Sequence, residues 1–459
     1  MKTYPNFKKI RTHAMFMLIT LITAVIFMTA VSPGLAAETT EPANAANVDL
    51  DTFLTRVDAH NKDLELARKD LDMANVYKKE ATSTALPKIA IESTYNRNLK
   101  ANFLYIDFPD SETGEMTSQK FKINFKNEYG VRAVINQTLF SFKVGNALTA
   151  AKQYKKLTDF AYDAAHDTIL KYARKAFYQT LLLEKVWEVG KASEQSAHDN
   201  YLQIKQQYEY GQVSQFQLLQ AEVRWQNIIP EVTQAKRNHE LALNSLKNMA
   251  GIPDSEEIRL TGDFGTLPPM PEKQELQPVL SRRPDYNALL WEEQLRGTGI
   301  KSEKANKLPS LSLNLIYNFS SQSDRFKLEM QNHSYIVGLN LSIPVFTGGY
   351  QEAQIQKARI DLDKTRIRIE KQKEDIANEI RNIYLRLEEA NERMQAAKVV
   401  LETAKKAFDI AEVSAANGLA TQLELKEARV AYDQAQLNGF AAAYDYLDAY
   451  FDWRLATGM

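Results

Sequence analysis

Two glutamates, Glu424 and Glu427, form the pattern in this 459-residue chain best suited to act on charged solutes. They lie three residues apart where helical periodicity resumes after Gly418, so on a helix they share a face. Carboxylates gathered that way attract cations and repel anions wherever an opening is narrow. Glutamate in a first helical turn is also favoured by the helix macrodipole alone, and Lys405 and Lys426 lie nearby, as on any solvated face. Bond-making chemistry has less support. The histidines at 13, 60, 166, 198, 239 and 333 are scattered without metal-ligand spacing. The chain has no cysteine, hence no thiolate site, disulfide or cysteine nucleophile. It has neither a glycine-rich phosphate loop nor a Gly-x-Ser-x-Gly elbow. No enzyme activity, cofactor or metal is expected, and a formal net charge of -1 gives no global attraction for nucleic acid.

The elements that must position the glutamates begin with a targeting segment. Lys2, Lys8, Lys9 and Arg11 precede an apolar run from Met15 to Val31, and Gly34-Leu35-Ala36 places small residues at a cleavage site. Residues 1–36 read as a secretory signal peptide and 37–48 as a flexible leader. The alternative is a retained anchor, because a run of about 17 apolar residues lies near the lower limit for a membrane span. Later helical stretches carry charge every turn or two, so membrane residence would require β-strands.

The chain also repeats itself. Asn61-Lys62-Asp63 aligns with Arg283-Pro284-Asp285, and Leu86-Pro87 with Leu308-Pro309, both 222 residues apart. Tyr129 aligns with Tyr335 and Phe140 with Phe346 at 206, then Gly211 with Gly418 and Gly251 with Gly458 at 207. The first hairpin is therefore 16 residues longer than the second. Two ordered copies predict a pseudo-two-fold unit. The first copy covers 49–250, with strands about 88–99 and 119–140. A proline-rich connector at 251–278 follows. The second copy covers 279–458, with strands about 310–320 and 334–346.

Each copy reads helix, hairpin, long helix, turn, shorter helix. The strands alternate apolar and polar residues, as in Leu311, Leu313, Leu315 against Ser312 and Asn314. That alternation suits a membrane barrel, or a hairpin half-buried on a soluble core. The signal peptide and the aromatic strand residues favour the barrel. The segments 144–209 and 349–416 lack proline, and each would extend about 100 Å as a helix. The second carries a heptad seam through Ile376, Ile380, Ile383, Leu387, Ala390, Met394 and on to Phe408. Shorter helices are expected at 49–86, 213–250, 279–307 and 420–457. Asp107 to Gln119 is expected to be an acidic, solvated loop.

Four strands cannot close a barrel, and an open edge in lipid leaves backbone groups unpaired. Two chains would give eight strands and a filled interior; three would give twelve and a lumen.

The order of these segments, twice over, resembles the TolC-like outer membrane efflux family across about 50–458. The resemblance rests on the paired Asn-Lys-Asp and Arg-Pro-Asp segments, both Leu-Pro strand starts and the two glycine turns. It also rests on the copy ends Met249-Ala250-Gly251 and Ala456-Thr457-Gly458. It implies a mainly α fold with a β-barrel portion: a homotrimer sharing one twelve-stranded outer-membrane barrel and a long coiled-coil periplasmic tunnel. It implies a periplasmic adaptor and an inner-membrane transporter as partners. On this pattern Glu424 and Glu427 would line the pore constriction, with Gln217 the equivalent of Glu424 in the first copy. Gly211, Gln212, Gly418 and Leu419 would be adaptor-docking tips. Ala415 and Ala420 stand where some relatives carry tyrosine and arginine latch residues, which puts a latch of that kind in doubt. Other readings are a soluble periplasmic helical scaffold or adaptor, and a type I protein-secretion duct of the same fold.

Overall fold

The computed structural model describes residues 46–109, 114–417 and 419–459. The expected signal peptide, most of the leader, and Asp110, Glu112 and Gly418 lie outside the described residues. The first copy runs β1 (Ala46–Val48), α1 (Leu50–His60), α2 (Lys62–Ser83), β2 (Lys88–Arg97), β3 (Phe103–Pro109), β4 (Met116–Lys122), β5 (Asn127–Phe140), α3 (Phe142–Glu209) and α4 (Gln215–Met249). After β6 (Ile258–Leu260), the second runs α5 (Leu276–Arg282), α6 (Pro284–Ala305), β7 (Ser310–Ser323), β8 (Gln331–Ser342), α7 (Tyr350–Ala416) and α8 (Gln422–Thr457).

Five expectations need correction. Residues 46–48, expected in the leader, form β1 and pair with β6, which itself lies inside the connector. The helix expected at 49–86 breaks at Asn61, whose backbone is extended. Its side chain accepts from the Asp63 and Leu64 amides and so starts a new helix. The helix expected at 279–307 likewise breaks at Arg283, ahead of a proline at the first helical position. The acidic loop is mostly a ribbon: β3 and β4 pair from Phe103–Lys122 to Pro109–Met116. The strand expected at 119–140 is therefore two, interrupted at 123–126.

The main sheet is antiparallel in the order β2–β5–β7–β8. Its register sorts residue types by face. Ile89–Ile135–Leu315–Val337 and Ile91–Ala133–Tyr317–Tyr335 cross one face. Glu92–Arg132–Asn318–Ser334 and Thr94–Gly130–Ser320–Asn332 cross the other. Among the described residues no helix packs substantially across either face, and the apolar residues of β8 stand open, Tyr335 at 79% and Val337 at 73%. Among the described residues both edge strands, β2 and β8, lack an outer partner within the protomer.

The helices supply the core. In the first copy Phe53, Val57, Phe177 and Leu246 pack together; in the second, Ile376, Tyr384, Leu387, Tyr446 and Trp453 do. The heptad seam of α7 packs on α8, burying Ile376, Ile380, Leu387, Ala390 and Phe408. The two copies lock their helix ends with the same geometry and different chemistry. Asn61 Nδ2 donates to the Met249 carbonyl at 3.0 Å, while Arg283 donates to the Ala456 carbonyl at 3.2 Å. Next to each bond a glycine turns the chain, Gly251 with φ 63° and Gly458 with φ 67°. A Cβ on Gly251 would stand 2.8 Å from the His60 Cβ, and one on Gly458 3.0 Å from the Arg282 Cβ. Gly251→Ala is therefore expected to cost about 1–3 kcal/mol in guanidinium unfolding, from the left-handed backbone plus the clash. A loss below the lower figure would mean the junction can spread.

Candidate functional site

The expected site residues sit at the two helix–helix turns. At the first, α3 ends and Gly211 adopts φ 69°, which an ordinary side chain would resist. The Gln212 amide donates to the Gln207 carbonyl at 2.8 Å, closing the helix end. Ser214 then caps α4: its hydroxyl accepts from the Gln217 amide at 3.4 Å, and Gln217 Oε1 accepts from the Ser214 amide at 3.0 Å. At the second turn the Leu419 amide donates to the Ser414 carbonyl at 2.8 Å. Thr421 caps α8: Glu424 Oε2 accepts from the Thr421 amide at 2.7 Å and from its hydroxyl at 2.9 Å.

Gln217 and Glu424 are thus equivalent members of two reciprocal capping boxes, a role that glutamine and glutamate share. The difference between the copies is charge, not shape. The Thr421 amide, then its hydroxyl, hold the Glu424 carboxyl below the usual carboxylate range. It is ionised throughout the neutral range and remains exposed. Glu427 lies on the same face one turn on, also exposed. The first-turn reading of Glu424 therefore has a definite partner, and its charge is still presented to solvent. Gln217 lies on the other hairpin and is not in hydrogen-bond contact with either glutamate.

Sequence reasoning passed over a cluster just above the second turn. Arg429 holds Asp433 at 2.9 and 3.1 Å and lies 5.2 Å from the Phe408 ring centroid. Phe408 stacks on Tyr432 with centroids 5.6 Å apart. From α4, Arg224 reaches the same neighbourhood. Burial pushes its pKa down and the Asp433 charge opposes this. The signal was available as an arginine and an aspartate four residues apart.

The architecture has solved counterparts. The Campylobacter jejuni CmeC outer membrane channel superposes with a TM-score of 0.73 at 19% identity, over 89% of this chain and 85% of that one. The open-state Neisseria gonorrhoeae MtrE outer membrane channel gives 0.70 at 17% identity, over 89% and 88%. In sequence, outer membrane protein TolC of Escherichia coli is 20% identical over 414 residues, 87% of this chain and 80% of that protein. The alkaline protease secretion protein AprF of Pseudomonas aeruginosa is 20% identical over 337 residues, 71% of this chain and 68% of that protein. The family model described as outer membrane efflux protein matches residues 54–252 and 276–459, one segment for each copy. The chain belongs to the outer membrane efflux protein family.

Proposed function

We propose that this protein is the outer-membrane exit duct of a tripartite efflux or secretion system. In this reading it is a passive homotrimeric channel working with a periplasmic adaptor and an inner-membrane transporter. One observation carries the reading: a four-stranded sheet with one apolar face and one polar face that, among the described residues, has no substantial helix cover and two open edges. A soluble scaffold would leave that apolar face in water. In lipid it is solvated by acyl chains, provided that the edges close. Three copies give twelve strands with the polar face turned to a lumen. The detergent-solubilised mature protein should have the mass of three chains, measured by light scattering with the detergent subtracted. A stable detergent-free monomer would overturn the proposal.

The tips would meet the adaptor. Supporting this, they expose apolar side chains that a free periplasmic surface does not need: Tyr210 and Phe216 beside Gly211 and Gln212, and Leu419 and Leu423 at the second turn. In the trimer Glu424 and Glu427 would bring six carboxylates to one axis, with Gln217 on the flanking hairpin. The double variant Glu424→Gln, Glu427→Gln is suited to the test, because glutamine already fills this capping role at 217. In bilayer recordings it should lower cation-over-anion permeability several-fold, on the order expected for charge rings in a confined opening, and relieve block by multivalent cations. The trimer should form normally. Unchanged selectivity in an intact trimer would leave Glu424 as a capping residue alone. The relationship to AprF keeps protein secretion beside small-molecule efflux, since the two would share this duct and differ in the inner-membrane partner.

A further inference from the structure

The sheet contains its own template for the contact between chains. In the protomer, β5 is the second strand of copy one and β7 the first strand of copy two. In a closed barrel β8, the second strand of copy two, meets β2, the first strand of copy one, on the next chain. The two junctions are pseudo-equivalent. Within each copy the hairpins keep the same register: Ile89 faces Ile135 as Leu311 faces Leu341, the 222- and 206-residue offsets of the repeat. Carrying β5–β7 through those offsets gives β8–β2 directly. Val134 opposite Ile316 becomes Asn340 opposite Thr94, and Ile135 opposite Leu315 becomes Leu341 opposite Ser93.

We propose that β8 joins β2 of a second copy of this chain in that register, a specification that rests on the duct reading. A separate feature of the sheet points the same way. Within copy one the β2–β5 hairpin stops at Lys88–Asn136, yet β5 continues to Phe140, paired only with β7 through Gln137–Leu313, Thr138–Ser312 and Phe140–Leu311. In copy two β8 stops at Ser342, the equivalent of Asn136. The segment equivalent to the end of β5, residues 343–346, has no strand partner among the described residues of the protomer. It leaves Val345 at 92% and Phe346 at 87% exposed. β5 is longer because its neighbour is covalently present. In the proposed register 343–346 lie against the first residues of the next chain's β2, with Ile343 opposite Ile91 and, beyond the equivalent of the bulge between Thr138 and Phe140, Phe346 opposite Ile89. These pairs fall on the apolar face, whereas Ser342–Glu92 and Asn340–Thr94 fall on the polar face. A one-residue slip would exchange the faces, so only even shifts compete, and the repeat selects among them.

The chain has no cysteine, so engineered pairs are the only thiols. Two in-register double variants, Leu341→Cys with Ser93→Cys and Asn340→Cys with Thr94→Cys, sample both pairing types of an antiparallel ladder. Leu339→Cys with Ser93→Cys and Ile343→Cys with Ser93→Cys are shifted by two residues, about 7 Å, beyond disulfide reach without backbone movement. The detergent-purified trimers are oxidised with copper phenanthroline and run under denaturing, non-reducing conditions. At least one in-register pair should give covalent dimers and trimers at roughly fivefold or more the yield of the shifted pairs, given that geometric limit. Preferential linking of a shifted pair overturns the register. Intact trimers that link at none of the four overturn the direct β8–β2 contact. Failure to form trimers at all overturns the duct reading beneath it.

Discussion

Arg283→Ala should destabilise the helical part of the protein by about 2–3 kcal/mol, the scale of lost charge-assisted hydrogen bonds whose carboxylate partners keep a third or more of their side chains in solvent. The guanidinium is buried and fully engaged. It grips Asp285 through two bonds of 2.9 and 2.8 Å, reaches Glu379 at 2.5 Å and donates to the Ala456 carbonyl. Burial alone would raise the Asp285 pKa; the hydrogen bonds and charge of Arg283, with a bond from Gln372, override it and hold the carboxyl low. Without Arg283, Asp285 and Glu379 lose the cation that bonds them both, and the carbonyl ending α8 loses a donor. Arg283→Lys keeps a charge but cannot form the fork, and should recover only part of the loss. The equivalent change in copy one, Asn61→Ala, removes a neutral cap and should cost about 0.5–2 kcal/mol. Guanidinium titration followed by circular dichroism measures all three. Equal losses at Arg283 and Asn61 would mean that the charges contribute nothing beyond the shared bond.

Asp452→Asn is the second large effect, and its pH dependence identifies the cause. Lys175 of α3 lies 2.7 Å from Asp452 and 2.8 Å from Asp448 of α8. Lys171 lies 3.4 Å from Asp452, and Arg386 of α7 bonds both aspartates. The network ties copy one to copy two, and its lysines and aspartates are only 14–17% exposed. Burial alone would raise the Asp452 pKa; Lys175 first, then Lys171 and Arg386, outweigh it and hold the pKa below its ordinary value. A depressed carboxyl stabilises the fold above its unfolded pKa of about 3.9, and the gain disappears as pH falls through the lower folded value. At neutral pH the variant should be about 3 kcal/mol less stable. Below about pH 4 the two curves should converge as the wild-type carboxylate is titrated. A pH-independent gap would show that the introduced amide is misfitted rather than merely uncharged.

Much of the architecture was legible because it is periodic. Alternation from Leu311 to Tyr317 and the heptad from Ile376 to Phe408 are local signals, and the duplication shows each of them in its place twice. What escaped notice was either short or non-local. Asn61 interrupts a helical pattern with one capping side chain, while Pro284 after Arg283 was a visible stop. The β3–β4 ribbon was hidden by Pro109 and the acidic residues near its tip. Lys175 and Asp452 are separated by more than half of the chain, and only the fold brings them together. At the tips, Ser214-x-x-Gln217 and Thr421-x-x-Glu424 both spell a capping box. Sequence reading saw the acidic side chain and not the hydroxyl three residues before it. How those carboxylates act on ions depends on neighbouring chains, which one sequence does not display.

The β5–β7 pairing has a kinetic consequence. These strands are separated by all of α3 and α4, so the loop that closes when they meet is among the longest in the chain. Helical hairpins form from local contacts and are fast; pairing across such a separation is slow, because the closure entropy is lost before any contact is gained. The emerging polypeptide should therefore build its α-helical hairpins first and carry two detached β-hairpins, each with exposed apolar side chains and free edges. That intermediate is the aggregation-prone species, and it persists until copy two is complete and the sheet finds lipid. Refolding yield should consequently depend on the timing of membrane or detergent addition more than on the stability of the finished helices.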